Sequence, residues 1–138
     1  MLLTIAVAGA AYVLFLLTTI HWGQADVVAR VLSENLDVQQ PPGAPLYIRT
    51  NRPALVEDWV RAHGLTNVTV VEGSSTTPSS GLPYPNAYLV VSATPVPFLI
   101  RCAYGWEREP LVGGGKTVYF SWFFGHTAEL VLLREWAT

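Results

Sequence analysis

Charge is what this sequence has least of. Charged side chains make up 13% of its 138 residues, against about a quarter in an ordinary soluble domain. The deficit is local: Met1 to Ile20 contains no Asp, Glu, Lys, Arg or His. Beyond that stretch the composition is ordinary. The length therefore holds one segment of membrane type and one small domain of about 115 residues. Basic excess is missing too. Eight Lys and Arg against ten Asp and Glu leave a formal net charge of −2, which excludes the basic face of a general nucleic-acid binder. Cys102 is the one cysteine, so neither an internal disulfide nor a cysteine-built zinc site is available.

What fills the N-terminal segment is an apolar run, MLLTIAVAGAAYVLFLLTTI. Twenty helical residues span about 30 Å, the thickness of a bilayer's hydrocarbon core. Thr4, Thr18 and Thr19 can satisfy their hydroxyls on helix carbonyls, and Trp22 stands where an aromatic anchor meets the headgroups. Residues 1–22 are therefore expected to form an uncleaved transmembrane anchor. A cleavable signal peptide has a positive start, a shorter apolar core and an A-x-A site near its end. Here no Lys or Arg precedes the core, and the A-x-A matches at Ala6 and Ala8 come too early. Ala6, Gly9 and Ala10 form a small-residue patch that would let a partner's transmembrane helix approach closely. Arg30 is the first basic residue after the span, and a strict positive-inside reading would keep the domain cytoplasmic. Anchors that open a chain in this way often export the domain behind them, and the exported side is the expectation adopted.

Helical periodicity continues through Ala25, Val28, Ala29, Leu32 and Leu36. It predicts a stalk helix over 23–40, with a bend near Gly23 and a stop at Gln39-Gln40-Pro41-Pro42-Gly43. A small α+β domain over 44–138 should come next. Leu46 to Arg49 reads as a strand. Asn51 is a plausible cap for a helix with Pro53 in its first turn, and Glu57 with Arg61 is a candidate i,i+4 pair. Gly64 is placed to end that helix in a left-handed conformation. Val68 to Glu72 is the second strand of a βαβ unit. Residues 73–86, rich in Ser, Thr, Pro and Gly, form a flexible loop. Ala87–Ser92, Phe98–Trp106, Thr117–Phe124 and Ala128–Trp136 are then the strands of an antiparallel meander. Glu109 to Lys116, with its three glycines, reads as a hairpin loop, and Gly125-His126 as a tight turn. One mixed sheet results.

No constellation points to catalysis, a cofactor or a metal. Gly115-Lys116-Thr117 has the end of a phosphate-binding loop, but Pro110 stands where its first glycine belongs and a strand, not a helix, comes after it. Cys102 shares a strand face with Phe98, Ile100, Tyr104 and Trp106, the setting of an inert core thiol rather than half of a Cys102–His126 dyad. His21, His63 and His126 share no ligand spacing. Glu57-Asp58 and Glu107-Arg108-Glu109 read as solvated neighbours, not as an acid–base pair. Asn67-Val68-Thr69 is a sequon that matters only in a glycosylating lumen.

The feature without a ready structural explanation is aromatic. In Tyr119-Phe120-Ser121-Trp122-Phe123-Phe124, alternation puts Phe120, Trp122 and Phe124 on one face and Tyr119 and Phe123 on the other. Val131 and Leu133 extend the second face in the next strand. A sheet backed by helix on one side leaves that face to the loop, a partner or the bilayer surface. The expected function is that of a non-catalytic, single-pass accessory or structural subunit, with the lipid bilayer and other membrane subunits as partners. Two alternatives compete with it. The long helix and four-stranded meander resemble pilin architecture in layout, although the processing glycine before the hydrophobic segment and the glutamate early inside it are missing. An exported small domain, released by cleavage as a ligand-binding module or enzyme, is the other.

Overall fold

A computed structural model of the chain describes residues 1–36, 45–76 and 81–137, and of Val131 only the backbone. The expected helix stop at 39–43 lies outside the described residues, as do residues 77–80 of the loop. One long helix, α1, runs over Leu2–Asn35. It widens to i→i+5 hydrogen bonding at Thr19–Gly23 and again at Val31–Asn35, where the Leu36 N–H reaches the Val31 carbonyl at 2.8 Å. Strand β1 (Leu46–Thr50), helix α2 (Pro53–Ala62) and strand β2 (Val68–Glu72) form the βαβ unit. The meander is β3 (Asn86–Ala93), β4 (Leu99–Glu109), β5 (Val112–Phe123) and β6 (His126–Ala137).

The six strands form one sheet in the order β2-β1-β3-β4-β5-β6. β1 is parallel to both of its neighbours, with Leu46 opposite Val68 and Tyr47 opposite Asn86. Every later pair is antiparallel. The fold is thus the α+β arrangement that the periodicities predict. The sharp change of pairing at β3 reflects connection length: hairpins join β3 to β6, while β1 to β2 needs the crossover through α2.

One face of the sheet carries the core. Ile48, Leu89, Ile100, Cys102, Val118, Phe120 and Trp122 are buried against Val27, Val28, Val31 and Leu32 of α1 and against Val56, Trp59 and Val60 of α2. The second half of α1 is thus the main wall of the core as well as the connection to the apolar segment. Gly23 accounts for how closely it packs. A Cβ there would lie 2.9 Å from Ile100 Cδ1 and 3.0 Å from the Trp122 ring, so close approach to the sheet is what this glycine provides.

Several local expectations change. Asn51 does not cap α2. Its side chain donates to the Val91 carbonyl at 2.7 Å and accepts from the Val91 N–H at 3.0 Å, so a long-range tie to β3 prevails over a local cap. Thr50 Oγ1 accepts the Arg52 N–H instead. Arg61 pairs with Asp58 at 3.2 Å rather than with Glu57, both partners being exposed, a contact of little energetic weight. Gly64 does take the left-handed conformation, with φ 65.

The largest correction concerns the glycines. Gly113, Gly114 and Gly115 are not a loop but lie inside β5, opposite Glu107, Trp106 and Gly105. The turn is only Pro110-Leu111, with Leu111 in a left-handed conformation at φ 65. The reason lies across the sheet: the Tyr88 ring is laid over Gly105, where a Cβ would meet its Cε1 at 2.6 Å. At Gly115 a Cβ would come within 2.5 Å of both the Tyr88 hydroxyl and the Trp136 indole nitrogen. The glycines make room for two rings.

Candidate functional site

The first half of α1 is exposed almost throughout. It is the one helix among the described residues long and apolar enough to cross a membrane. Two of its hydroxyls are satisfied within the helix: Thr18 Oγ1 donates to the Leu14 carbonyl at 2.7 Å and Thr19 Oγ1 to that of Phe15 at 2.8 Å. Ala6, Gly9 and Ala10 are all exposed, and a Cβ on Gly9 would meet nothing within 4 Å. The small-residue patch is therefore open to a second helix. Trp22, also exposed, stacks edge-on with His21 at 5.2 Å.

The apolar helix joins the domain through an aromatic corner that sequence reasoning did not anticipate. Tyr12 donates its hydroxyl proton to the Pro95 carbonyl in the β3–β4 loop. The Phe15 ring lies 5.3 Å from that of Phe98, and the Phe98 N–H donates to Thr19 Oγ1 at 2.8 Å. Phe98 in turn contacts Trp122, Phe123 and Phe124. Phe98 and Phe124 hold φ values of 66 and 43, unusual for bulky residues. Beneath them the Trp122 indole donates to Asp26 Oδ2 at 2.6 Å, and Arg30 donates to the Thr127 carbonyl at 2.6 Å while lying 3.3 Å from Glu34. Helix and sheet are thus pinned by two charge-assisted contacts on one side of the corner. In the sequence, Pro95 and Pro97 mark an interruption between two strand runs without showing what packs against it.

Among the described residues no helix lies on the opposite face of the sheet. Tyr119 is half-buried there; Phe123 and Leu133 are exposed, and the Val131 side chain lies outside the described residues. Leu133 also lines an open groove with Ser92, Arg101, Ala103, Thr117 and Arg134. Further along the same face the loop comes down: Arg49 Nε donates to the Ser75 carbonyl at 3.0 Å. Arg49 and Glu107 are both buried beside Tyr88, whose hydroxyl accepts from Trp136 Nε1 at 2.8 Å. Burial lowers the Arg49 pKa, and the Glu107 charge opposes that shift. Glu107, expected as a solvated neighbour of Arg108, is therefore part of a buried polar cluster. A glycine-rich run with the composition of a loop hides the register that sets Glu107 opposite Gly113.

The side chains with candidate chemistry all have structural roles or lie apart. Cys102 is fully buried, and burial pushes its thiol well above the usual range, the opposite of what a nucleophilic thiolate needs. His21 lies on Trp22, His63 stacks on Trp59 at 4.1 Å with Nδ1 against the Trp59 carbonyl, and His126 opens β6. Among the described residues no three His, Cys, Asp or Glu side chains gather as a metal site would require. Lys116 sits mid-strand opposite Tyr104, where extended backbone offers no phosphate cradle.

Tyr104 supplies a pH prediction. Burial, assisted by the nearby Glu129 charge, raises its pKa to about 12, and Asn35 Nδ2 donates to its hydroxyl at 3.0 Å. An unfolded tyrosine ionises near 10. The folded pKa is the higher, so the stabilisation is complete below about pH 10 and is lost as pH rises toward about 12. Denaturant midpoints in mild detergent should fall across that window, and Tyr104→Phe should flatten the fall. An unchanged slope in the variant would contradict it.

No protein-family model, curated protein or solved structure matches the chain.

Proposed function

We propose that this is a single-pass membrane protein whose small α+β domain serves as a non-catalytic accessory or structural subunit of a larger membrane assembly. The observation that carries the reading is the bare, apolar first half of α1 with its open Ala6–Gly9–Ala10 patch. Such a patch gives helix association in lipid its close backbone approach. The partly apolar sheet face around Tyr119 and Leu133 offers a second contact outside the membrane. In this reading the domain lies on the exported side. An introduced cysteine at Leu111, 87% exposed at the far hairpin turn, should then react with a membrane-impermeant maleimide in intact cells.

The decisive experiment is affinity purification of the tagged chain from membranes in mild detergent, with mass spectrometry of whatever accompanies it. Stoichiometric integral membrane proteins are expected. Gly9→Leu should deplete them while the variant still resists alkaline carbonate extraction. Recovery of the chain alone, as a monomer, sinks the subunit reading.

A filament subunit of pilin type is the second reading. It is favoured by one observation: the helix is exposed in its first half and buried on a four-stranded meander in its second. Electron microscopy of surface material decides it.

A further inference from the structure

The uncharged run of α1 extends through Ile20, so the helix meets the domain inside the stretch that would cross a bilayer. Tyr12 already bonds the β3–β4 loop at Pro95, and Phe15 packs on Phe98. If α1 spans, the parts of the domain beside residues 12–19 must enter the membrane with it. Those parts are the β3–β4 loop and, joined to it through the contacts of Phe98 with Phe123 and Phe124, the tip of β5.

Their chemistry suits lipid. No Asp, Glu, Lys, Arg or His occurs in 92–100, and in 117–125 there is none either. Val96, Phe123 and Phe124 are 52%, 63% and 55% exposed, large apolar side chains that no described residue covers. In the β3–β4 loop several backbone groups are satisfied internally, as hydrocarbon requires of backbone that enters it. Pro95 and Pro97 have no N–H to satisfy. The Val96 N–H donates to Thr94 Oγ1, the Phe98 N–H to Thr19 Oγ1 and the Leu99 N–H to the Val96 carbonyl. The Pro95 carbonyl accepts from Tyr12, and that of Phe98 from the Trp122 N–H. Tyr12 gains as well: its hydroxyl, otherwise unpaired at membrane depth, has a fixed acceptor.

We infer that the β3–β4 loop and the β5–β6 turn are membrane-inserting tips, with Val96, Phe123 and Phe124 buried among the lipid acyl chains of one leaflet beside α1. The domain then sits on the bilayer surface with its strands rising from it, and α1 is held in fixed orientation by the tips. The opposite end of the sheet, at Leu111, stands about 33 Å away along β4. This inference rests on the single-pass reading proposed for the chain.

The test uses the full chain in vesicles of phosphatidylcholine and phosphatidylglycerol, with an environment-sensitive NBD label on single introduced cysteines. Cys102 is buried, so the unmodified chain serves as the blank. Val96→Cys and Phe124→Cys should give blue-shifted emission. Nitroxide-labelled lipid should quench both several-fold more strongly than Leu111→Cys, and aqueous iodide several-fold less. Equal quenching at all three sites in a chain that resists carbonate extraction overturns the inference and leaves the anchor standing. A blue shift without lipid quenching overturns it in favour of protein over the tips. Release of the chain by carbonate overturns the inference and the anchor together. Both tip positions lie on the exposed surface, so misfolding is checked by the circular dichroism of each labelled variant against the unmodified chain.

Discussion

Trp122→Ala is expected to lower the stability of the domain by about 3–5 kcal/mol, the usual cost of emptying a large aromatic site in a core. Trp122 is 2% exposed. It touches Phe98 and Phe124, it lies where Gly23 brings α1 closest, and its indole N–H is held by Asp26. Removal opens a cavity and strands a half-buried carboxylate at the same time, and an unpaired acceptor of that kind adds about 1–3 kcal/mol. Trp122→Phe separates the two effects. It keeps most of the volume and loses only the donor, so it should cost less than the alanine variant. Chemical denaturation followed by circular dichroism in mild detergent measures both. A loss below about 1 kcal/mol for Trp122→Ala, the average for any substitution, would show that α1 does not close on the sheet at this residue.

The second large effect is expected at Gly105. An added Cβ would lie 2.6 Å from the Tyr88 ring and 2.8 Å from the Gly114 carbonyl oxygen. Gly105→Val therefore forces the ring off the strand, and overpacking of this kind costs about 1–3 kcal/mol or more. The damage has a specific route. Tyr88 holds Trp136 at 2.8 Å and stands beside Arg49 and Glu107, so displacing it disturbs the buried polar cluster and the end of β6 together. In a Tyr88→Ala background the same substitution should cost measurably less, because part of the obstruction is gone. Neighbouring side chains couple in this way, and a double-mutant cycle reads the coupling directly. Strict additivity would mean that the ring does not lie over Gly105.

Most of the architecture is legible in the residues. An uncharged run of twenty, continued by a stripe with helical period, gives α1. Alternation with β-branched and aromatic residues gives the strands, and Pro53 with Gly64 brackets α2. These signals are local, carried by residues a few positions apart. Errors arise where a residue serves a distant partner. Asn51 looks like a cap by spacing but ties β1 to β3. Glycines 113–115 look like a turn by composition but accept rings from β3 and β6. Glu107 looks solvated beside Arg108 but is buried near Arg49.

The surfaces divide in the same way. The apolar helix, its small-residue patch and Trp22 are set by sequence alone, because length, hydropathy and residue size decide them. Tertiary structure decided how much of that helix is left free, since the depth at which Tyr12, Phe15 and Thr19 meet the β3–β4 loop depends on strand register and on how closely Gly23 lets α1 approach. It also decided that Val96, Phe123 and Phe124 lie around the same corner. Loop 94–98 and turn 124–125 are far apart in the chain. Only the pairing of β4 with β5, Leu99 opposite Ser121, puts them side by side at one end of the sheet.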